Sequence, residues 1–210
     1  MIAGTQYGAQ IVANTARQLV ADNWPSVADA TWLKAMGAPN LPAPVITNIY
    51  TSQRALFSAE TQPAIGVTVV RSDSVITDAL GAIDQTHELE ISVRSDWGYY
   101  DGNGYAKPLV QADAEDTPIP FTEEIYETAL RAYIEGIVLI LCSATYGLIN
   151  YDARNNSTPG FVGTGIYNAL PYTGLTPVDF IVGQDETGQS VIQQTVKASI
   201  QVLQRRSLAR

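Results

Sequence analysis

Few residues of this chain have side chains suited to catalysis or metal binding, and they stand apart from one another. His87 is the single histidine and Cys142 the single cysteine. A histidine holds a transition metal only together with other ligands, and no cysteine lies near it in the sequence. Cys142 lies in an apolar run with no neighbour that would lower the pKa of its thiol. We therefore expect both to be structural: a half-buried histidine and an inert, buried thiol.

Two short segments have compositions that suggest ligand loops. The acidic, glycine-rich segment 96–104 lacks an EF-hand pattern, because aromatic side chains occupy the positions that need oxygen ligands. The glycine-rich segment 160–165 lacks the Gly-Lys-Ser/Thr ending of a phosphate loop and the strand-to-helix setting of a dinucleotide fold. Ser74, Ser143 and Ser157 lie in no nucleophile-elbow motif. We therefore nominate no catalytic, cofactor-binding or metal-binding residue, and expect a protein that is not an enzyme and needs no cofactor.

Composition narrows the class of protein further. The 210 residues are 46% hydrophobic and 16% charged, with a net charge of −9. That is too apolar for a disordered chain, and too acidic for binding nucleic acid through its phosphates. Lys197 and the arginines at 205, 206 and 210 form a basic cluster, which we interpret as a solvated tail. The most apolar run, Ile137–Cys142, is too short to span a membrane. A single cysteine allows no disulfide within the chain.

The elements that must position these residues are clearest in two segments. Ala64–Val70 and Thr86–Arg94 each have the pattern of a strand. In the second, one face carries His87, Leu89, Ile91 and Val93, while the other carries Thr86, Glu88, Glu90, Ser92 and Arg94. Side chains alternate across a strand, so this pattern indicates one buried and one solvated face. The polar link between the two strands, Arg71–Gln85, is too long for a tight hairpin.

Further elements follow from periodicity and from capping residues. Helices are predicted over Thr5–Asp22, with Thr5 as N-cap and Pro25 just past the end, and over Thr122–Tyr146, with Gly147 as the stop. Further strands are predicted at Val45–Tyr50, Val178–Val182 and Ser190–Gln204, and long loops at Ser95–Pro120 and Asn150–Pro177. The sequence therefore predicts one domain over residues 1–210. Its class is α+β, a single mixed, mostly antiparallel sheet flanked by helices, with long loops.

Aromatic residues are the best candidates for a contact surface. Tyr and Trp are enriched where proteins bind one another, and long loops are frequently binding elements. The residues alone thus indicate an interaction role rather than a reaction. The candidate interface residues are Trp97, Tyr99, Tyr100, Tyr105, Tyr167 and Tyr172.

The order and character of the elements resemble the tail terminator (tail-completion) proteins of tailed bacteriophages. The features in common are an N-terminal helix, the strand Pro63–Val70, a polar link and the strand His87–Val93. A long helix, Thr122–Tyr146, and a closing amphipathic strand, Ser190–Gln204, follow. The resemblance covers roughly Thr5–Gln204 and rests on element order, since no signature motif is present. The chain departs from the family in its longer loops at 95–120 and 150–177.

The resemblance implies a structural virion protein, assembled in the host cytoplasm. Its expected form is a homo-hexameric ring that caps the tail tube and joins it to the neck. The expected partners are further copies of the chain, the tail tube protein and a head-completion, neck or connector protein. DNA only passes through the lumen, and no membrane is involved. The alternatives are a head–tail connector or other neck protein and, from another class, a carbohydrate- or small-ligand-binding module using the aromatic loop 97–105.

Overall fold

The structure is a computed structural model that describes residues 8–28, 46–52, 64–76, 82–98, 123–173, 179–184 and 190–207. Most of these residues belong to helices and strands. Short 3-10 turns at Ile46–Asn48 and Leu148–Asn150 precede β1 and α3. The elements are α1 (Ala9–Ala28), β1 (Ile49–Tyr50), β2 (Ala64–Ile76), β3 (Ala82–Gly98), α2 (Glu123–Cys142), α3 (Tyr151–Asn155), β4 (Ile166–Thr173), β5 (Asp179–Gln184) and β6 (Ser190–Ser207).

The described strands form one sheet, in which β6 is the central member. The order is β1-β2-β3-β6-β4, with β5 also paired to β6. β6 pairs with β3 from Val191 to Ser207 on one side. On its other side β5 pairs with residues 190–195 and β4 with residues 199–204. Among the strands that the structure describes, only β1 and β2 are parallel to each other. The predicted class, α+β with a single mixed, mostly antiparallel sheet flanked by helices, is confirmed.

Helices α1 and α2 pack against each other and against one face of the sheet. The apolar face predicted for β3 and β6 is the reason: Leu89, Ile91 and Val93, like their counterparts in β6, are completely buried or nearly so beneath the helices. The prediction that the other face of β3 is solvated is wrong at Ser92 and Arg94, which are also buried, because this part of β3 is paired on both sides, with β2 and β6. Where α1 crosses α2, the ring of Trp24 stacks on that of Tyr133, with centroids 5.3 Å apart. A large apolar face of this kind contributes stability in proportion to the area it removes from water.

The predicted link Arg71–Gln85 is wrong over most of its length. β2 continues to Ile76 and β3 begins at Ala82, so the two strands form a long hairpin. The extension pairs polar residues, Asp73 with Thr86 and Ser74 with Gln85. Apolar alternation is missing there because neither face of this part of the hairpin lies under the helices. A β-bulge between Val69 and Arg71 separates the buried half of β2 from the exposed half.

Two predicted helix ends need correction. α1 runs through Pro25 to Ala28, because the completely buried Trp24 fixes its last turn against Tyr133 even though proline removes a hydrogen bond. α2 ends at Cys142 rather than Tyr146. There the Ser143 hydroxyl accepts hydrogen bonds from the backbone N–H groups of Thr145 and Tyr146, at 3.2 and 3.3 Å, and so replaces the helical pattern. Thr5 and Thr122, the predicted caps, lie outside the described residues.

Both predicted long loops contain regular structure. Segment 150–177 includes the short helix α3 and the strand β4. β4 has no clean alternation because it is irregular, with register shifts after Ile166 and after Pro171, and its place at the edge of the sheet tolerates a proline. Of the other loop, residues 95–98 belong to β3, and residues 99–120 lie outside the described part.

The basic residues near the C-terminus are not a free tail as far as residue 207. Arg205 and Arg206 belong to β6, and Arg205 forms a two-point contact with the Asp84 carboxylate, at 2.7 and 2.9 Å. The hydrogen bond from Arg205 lowers the pKa of Asp84. Lys197 pairs with Glu90 on β3 at 3.4 Å. Cross-strand charge pairing thus explains Arg205 and Lys197. None of the described helices is long and apolar enough to cross a membrane.

Candidate functional site

Three of the six predicted interface aromatics belong to described strands, and they are distributed along the sheet. Tyr167 on β4 is 43% exposed, and the guanidinium of Arg205 lies over its ring at 5.4 Å from the centroid. Trp97 belongs to β3, where it pairs with Ile192, and Tyr172 belongs to β4. Tyr99, Tyr100 and Tyr105 lie outside the described residues.

The structure does not bring Trp97 and Tyr167 together. Trp97 is opposite Ile192 on β6, whereas Tyr167 lies between Ile166 and Asn168, which pair with Gln204 and Leu203. Twelve residues of strand separate the two ends, or about 40 Å. The described aromatics therefore form no single patch, and any interface that used them all would run along the whole sheet.

His87 is the centre of a buried polar network. It is completely buried, not half-buried as expected, and it shares the core face of β3 with Leu89. Its Nδ1 lies 2.8 Å from Ser72 Oγ on β2, and its Nε2 lies 3.0 Å from Gln204 Oε1 on β6. Burial lowers the pKa of His87, opposed in part by the hydrogen bond with Gln204. The predicted structural role fits this geometry, because both ring nitrogens already have partners within the fold.

Gln204 extends the network to two further segments. Its Oε1 also accepts a hydrogen bond from the backbone N–H of Gly8, at 3.2 Å, just before α1. Its Nε2 donates to the backbone oxygen of Thr164, at 2.6 Å. Sequence reasoning missed this residue, although a signal was present: Gln204 continues the buried face of Ile200 and Val202, and a polar residue at such a position needs partners.

The glycine-rich loop 160–165 does bind an anionic group, but that group is the Asp152 carboxylate of the same chain. The carboxylate accepts hydrogen bonds from the backbone N–H groups of Thr164 and Gly165 and from the Thr164 hydroxyl, all at 2.8–2.9 Å. Backbone N–H groups arranged in this way can hold a phosphate. Here they are already used, which agrees with the absence of a phosphate-loop motif.

A groove lies between α1 and this loop; we call it the α1 groove. Its volume is about 350 Å³, within the range of ligand pockets. The loop side is held in place through Asp152 and Gln204, so the groove has a fixed wall. Its lining consists of Ile11, Asn14, Thr15, Gln18, Tyr151, Gly160, Phe161, Val162 and Thr164.

The outer edge of β2 is the most exposed part of the described sheet. β1 pairs only with Ile65 and Gly66, so among the described strands nothing pairs with residues 67–76 on that side. Val70 is 44% and Val75 is 63% exposed. An unpaired edge presents backbone donors and acceptors to any extended chain that reaches it.

Cys142 is partly buried against the core rather than buried as expected. Its burial still raises the pKa of the thiol to about 11, so the thiol is unreactive at neutral pH. Across the residues that the structure describes, no three His, Cys, Asp or Glu side chains are grouped so as to hold a metal ion.

Comparison with known proteins assigns no family. No family model matches the sequence, and no curated protein matches it.

Proposed function

We propose that this chain is a structural subunit of a tailed-bacteriophage virion: a tail terminator that forms a ring at the head-proximal end of the tail, caps the tail tube and joins it to the neck. The observation that carries the proposal is the exposed edge of β2. A sheet edge of about ten residues that no described strand covers is an unusual liability in a protein that acts alone, and a useful contact in one that assembles.

The edge has the features of a contact surface with a preferred partner strand. Arg71 and Asp73 form an ion pair at 2.8 Å, with side chains 70% and 56% exposed. Val75 follows on the same side of the strand. An added strand gains backbone hydrogen bonds along the edge, and the ion pair beside the apolar Val75 side chain favours a matching sequence. The bulge between Val69 and Arg71 divides this edge into two stretches, residues 67–69 and residues 71–76.

The opposite edge of the sheet offers a second surface. β4 exposes Tyr167 and Leu170, 43% and 46% respectively. Different contact surfaces on opposite sides of a subunit favour head-to-tail association, which produces a closed ring when the rotation between neighbours closes. The two edges of this sheet support a ring more readily than a two-fold dimer.

The virion assignment itself is supported by element order and charge. The observed succession of α1, the β2–β3 hairpin, α2 and the closing strand β6 contains the elements on which the resemblance to tail terminators rests. A net charge of −9 suits a ring whose lumen DNA must traverse without binding. The same features would serve a head–tail connector, which is the alternative that needs a genetic test.

The oligomeric state tests the ring. We expect mass photometry and sedimentation velocity to show a closed oligomer, with a hexamer as the leading expectation. Val75→Lys should shift the population toward monomer, because it places an extra charge on the β2 edge. Thr145→Lys is the matched control: it adds the same charge at an exposed turn residue that belongs to neither edge strand. A chain that stays monomeric at tens of micromolar contradicts the proposal, as does a Val75→Lys oligomer as stable as the control.

Deletion of the gene in the parent phage distinguishes terminator from connector. Without a terminator, we expect tails of uncontrolled length that do not attach to heads. Tails of normal length beside unjoined, DNA-filled heads would instead assign the chain to the connector. Electron microscopy of the lysates measures both outcomes, and complementation with the Thr145→Lys variant provides the control for expression.

A further inference from the structure

We propose that neighbouring copies of this chain join strand to strand, with β4 of one copy pairing antiparallel to β2 of the next. In this pairing Asn168 lies opposite the neighbour's Asp73, and Leu170 opposite the neighbour's Arg71. The inference rests on the proposed ring, and it specifies the contact that builds the ring. Four features of the two sheet edges agree with it: strand direction, level along the sheet, backbone hydrogen-bonding groups and side-chain chemistry.

The two edge strands run in opposite directions. Along the series β2, β3, β6 and β4, each strand is antiparallel to the one before, so β2 and β4 are antiparallel to each other. A rotation about an axis parallel to the strands preserves the direction of every strand. It therefore places β4 of one copy beside β2 of the next in antiparallel orientation, and it keeps the helices of all copies on the same side of the joined sheet.

The two edges also lie at the same level along the strands. Both are regular there, because the register shifts of β2 and β4 fall outside these rows. A closed ring has no rise from one copy to the next, so its two contact surfaces must share one level. Three rows of paired residues cross the whole sheet from β2 to β4: Arg71, Glu88, Gln201 and Leu170; Ser72, His87, Val202 and Ala169; and Asp73, Thr86, Leu203 and Asn168.

The backbone groups that point outward fall on the same rows at both edges. In an antiparallel sheet each residue directs its N–H and C=O to one neighbouring strand, and successive residues alternate between the two sides. Each row crosses four strands, an even number, so a row that points outward at β2 also points outward at β4. Joining the edges at one level therefore continues the hydrogen-bond ladder. Pro171, which has no N–H to donate, lies just beyond the three rows.

The side chains of the two edges are compatible in this register. β4 contains no charged residue, so no like charge meets the ion pair of Arg71 and Asp73. The Asn168 amide can donate a hydrogen bond to the Asp73 carboxylate opposite it. Leu170, which is 46% exposed, can cover the aliphatic part of the Arg71 side chain.

Disulfide cross-linking of the full chain tests the pairing. The variant Asp73→Cys/Asn168→Cys, in a Cys142→Ser background, places two thiols in one row. Within one chain their Cα atoms are three strand spacings apart, about 14 Å, whereas a disulfide spans at most about 7 Å. After oxidation with copper–phenanthroline we expect bonds between copies only, seen as a ladder of oligomers on non-reducing gels. Arg71→Cys/Leu170→Cys should give the same ladder.

The control variant is Asp73→Cys/Thr173→Cys, whose second cysteine lies on the same strand but four rows away, about 13 Å. It should give at least tenfold less cross-linked product. Each single-cysteine variant should run as a monomer. Co-expression of the Asp73→Cys and Asn168→Cys chains should give dimers and nothing larger, because each chain then forms one bond.

Two cross-linking results would overturn the pairing. Dimers of Asp73→Cys alone would show that β2 pairs with β2 across a two-fold axis, and a control ladder as strong as the in-register one would show a different register. Mass photometry of the reduced variants separates this inference from the proposed function. A ring whose in-register cysteines do not cross-link rejects the strand pairing but not the ring, whereas a monomeric chain rejects both.

Discussion

At the scale of single residues, the neutral form of His87 is the one that the fold accommodates. Gln204 Nε2 donates to the Thr164 carbonyl, so its Oε1 faces the imidazole and accepts the Nε2–H of His87. The other ring nitrogen, Nδ1, then accepts the hydroxyl hydrogen of Ser72. A completely buried side chain with both polar atoms bonded contributes to specificity, and it has no free atom for catalysis.

The stability of the protein should therefore depend on pH in the range where histidine titrates. Burial lowers the pKa of His87 in the folded state, so below about pH 6.5 the unfolded chain binds a proton that the folded chain does not. The free energy of unfolding should fall as the pH is lowered from 7 to 5, by up to about 1.4 kcal/mol per pH unit. Urea denaturation at half-unit steps of pH measures the slope.

His87→Gln provides the control for this effect. Glutamine does not titrate, so the variant should lose most of the slope between pH 6.5 and 5, whatever its absolute stability. A slope that is the same in both proteins would assign the pH dependence to other groups and contradict the prediction.

Asp152 is the second residue whose role follows from its hydrogen bonds. Asp152→Asn replaces one acceptor oxygen with an NH₂ group that faces N–H donors of Thr164 and Gly165. Hydrogen bonds to a charged group contribute more than neutral ones, so the variant should unfold with a free energy about 1.5–3 kcal/mol lower. Chemical denaturation of both proteins at pH 7 measures this difference in the free energy of unfolding. Asn155→Ala removes a single side-chain hydrogen bond to the Tyr151 carbonyl, so it should lower the free energy of unfolding by less than Asp152→Asn does.

At the scale of elements, burial on one face is what made parts of the fold predictable. β3 and β6 could be identified because Leu89 to Val93 and Val196 to Val202 alternate with polar residues under the helices. The outer half of β2 and the strand β4 could not, since their pairing partners, rather than their own residues, place them in the sheet. The candidate site was less predictable still: His87 and Gln204 are 117 residues apart, and only the folded sheet brings them together.

The turn after α2 depends on a glycine for steric rather than conformational reasons. A Cβ at Gly147 would lie 2.5 Å from the Ser143 carbonyl oxygen and 2.6 Å from that of Leu141. Both are backbone atoms that cannot move without opening the turn. Gly147→Ala should therefore lower the free energy of unfolding by about 1–3 kcal/mol or more. Thermal and urea denaturation measure this loss.

Gly160→Ala is the comparison that separates the two kinds of cost. Gly160 has a φ of 77°, but a Cβ there would meet nothing within 4 Å. Gly160→Ala should therefore lower the free energy of unfolding only by the strain of a left-handed backbone at alanine, about 1–2 kcal/mol. If Gly147→Ala proves no more harmful than Gly160→Ala, the crowding argument fails.

At the scale of the whole molecule, β6 joins parts of the chain that are distant in sequence. It pairs with β3 about 110 residues earlier and with β4 and β5 on its other side, while Gln204 reaches Gly8 at a separation of 196 residues. Non-local pairing of this extent slows folding, because the chain loses entropy in closing long loops before the stabilising contacts can form. We expect refolding in milliseconds to seconds or longer, rather than the microseconds of helical bundles.

The same topology predicts that the chain unfolds as one cooperative unit, as the single-domain expectation requires. Ile200 is completely buried and pairs with Leu89 on β3 and Pro171 on β4. Ile200→Ala should lower the free energy of unfolding by about 2–5 kcal/mol. Far-ultraviolet circular dichroism, which is dominated by helices, and tryptophan fluorescence should shift by the same amount, because the helices have no core without the sheet. Leu203 lies on the opposite and less buried face of β6, so Leu203→Ala should lower the free energy of unfolding by less than Ile200→Ala does. Two separate transitions, or a helical signal unmoved by Ile200→Ala, would show that the helices fold without β6 and that the chain contains more than one cooperative unit.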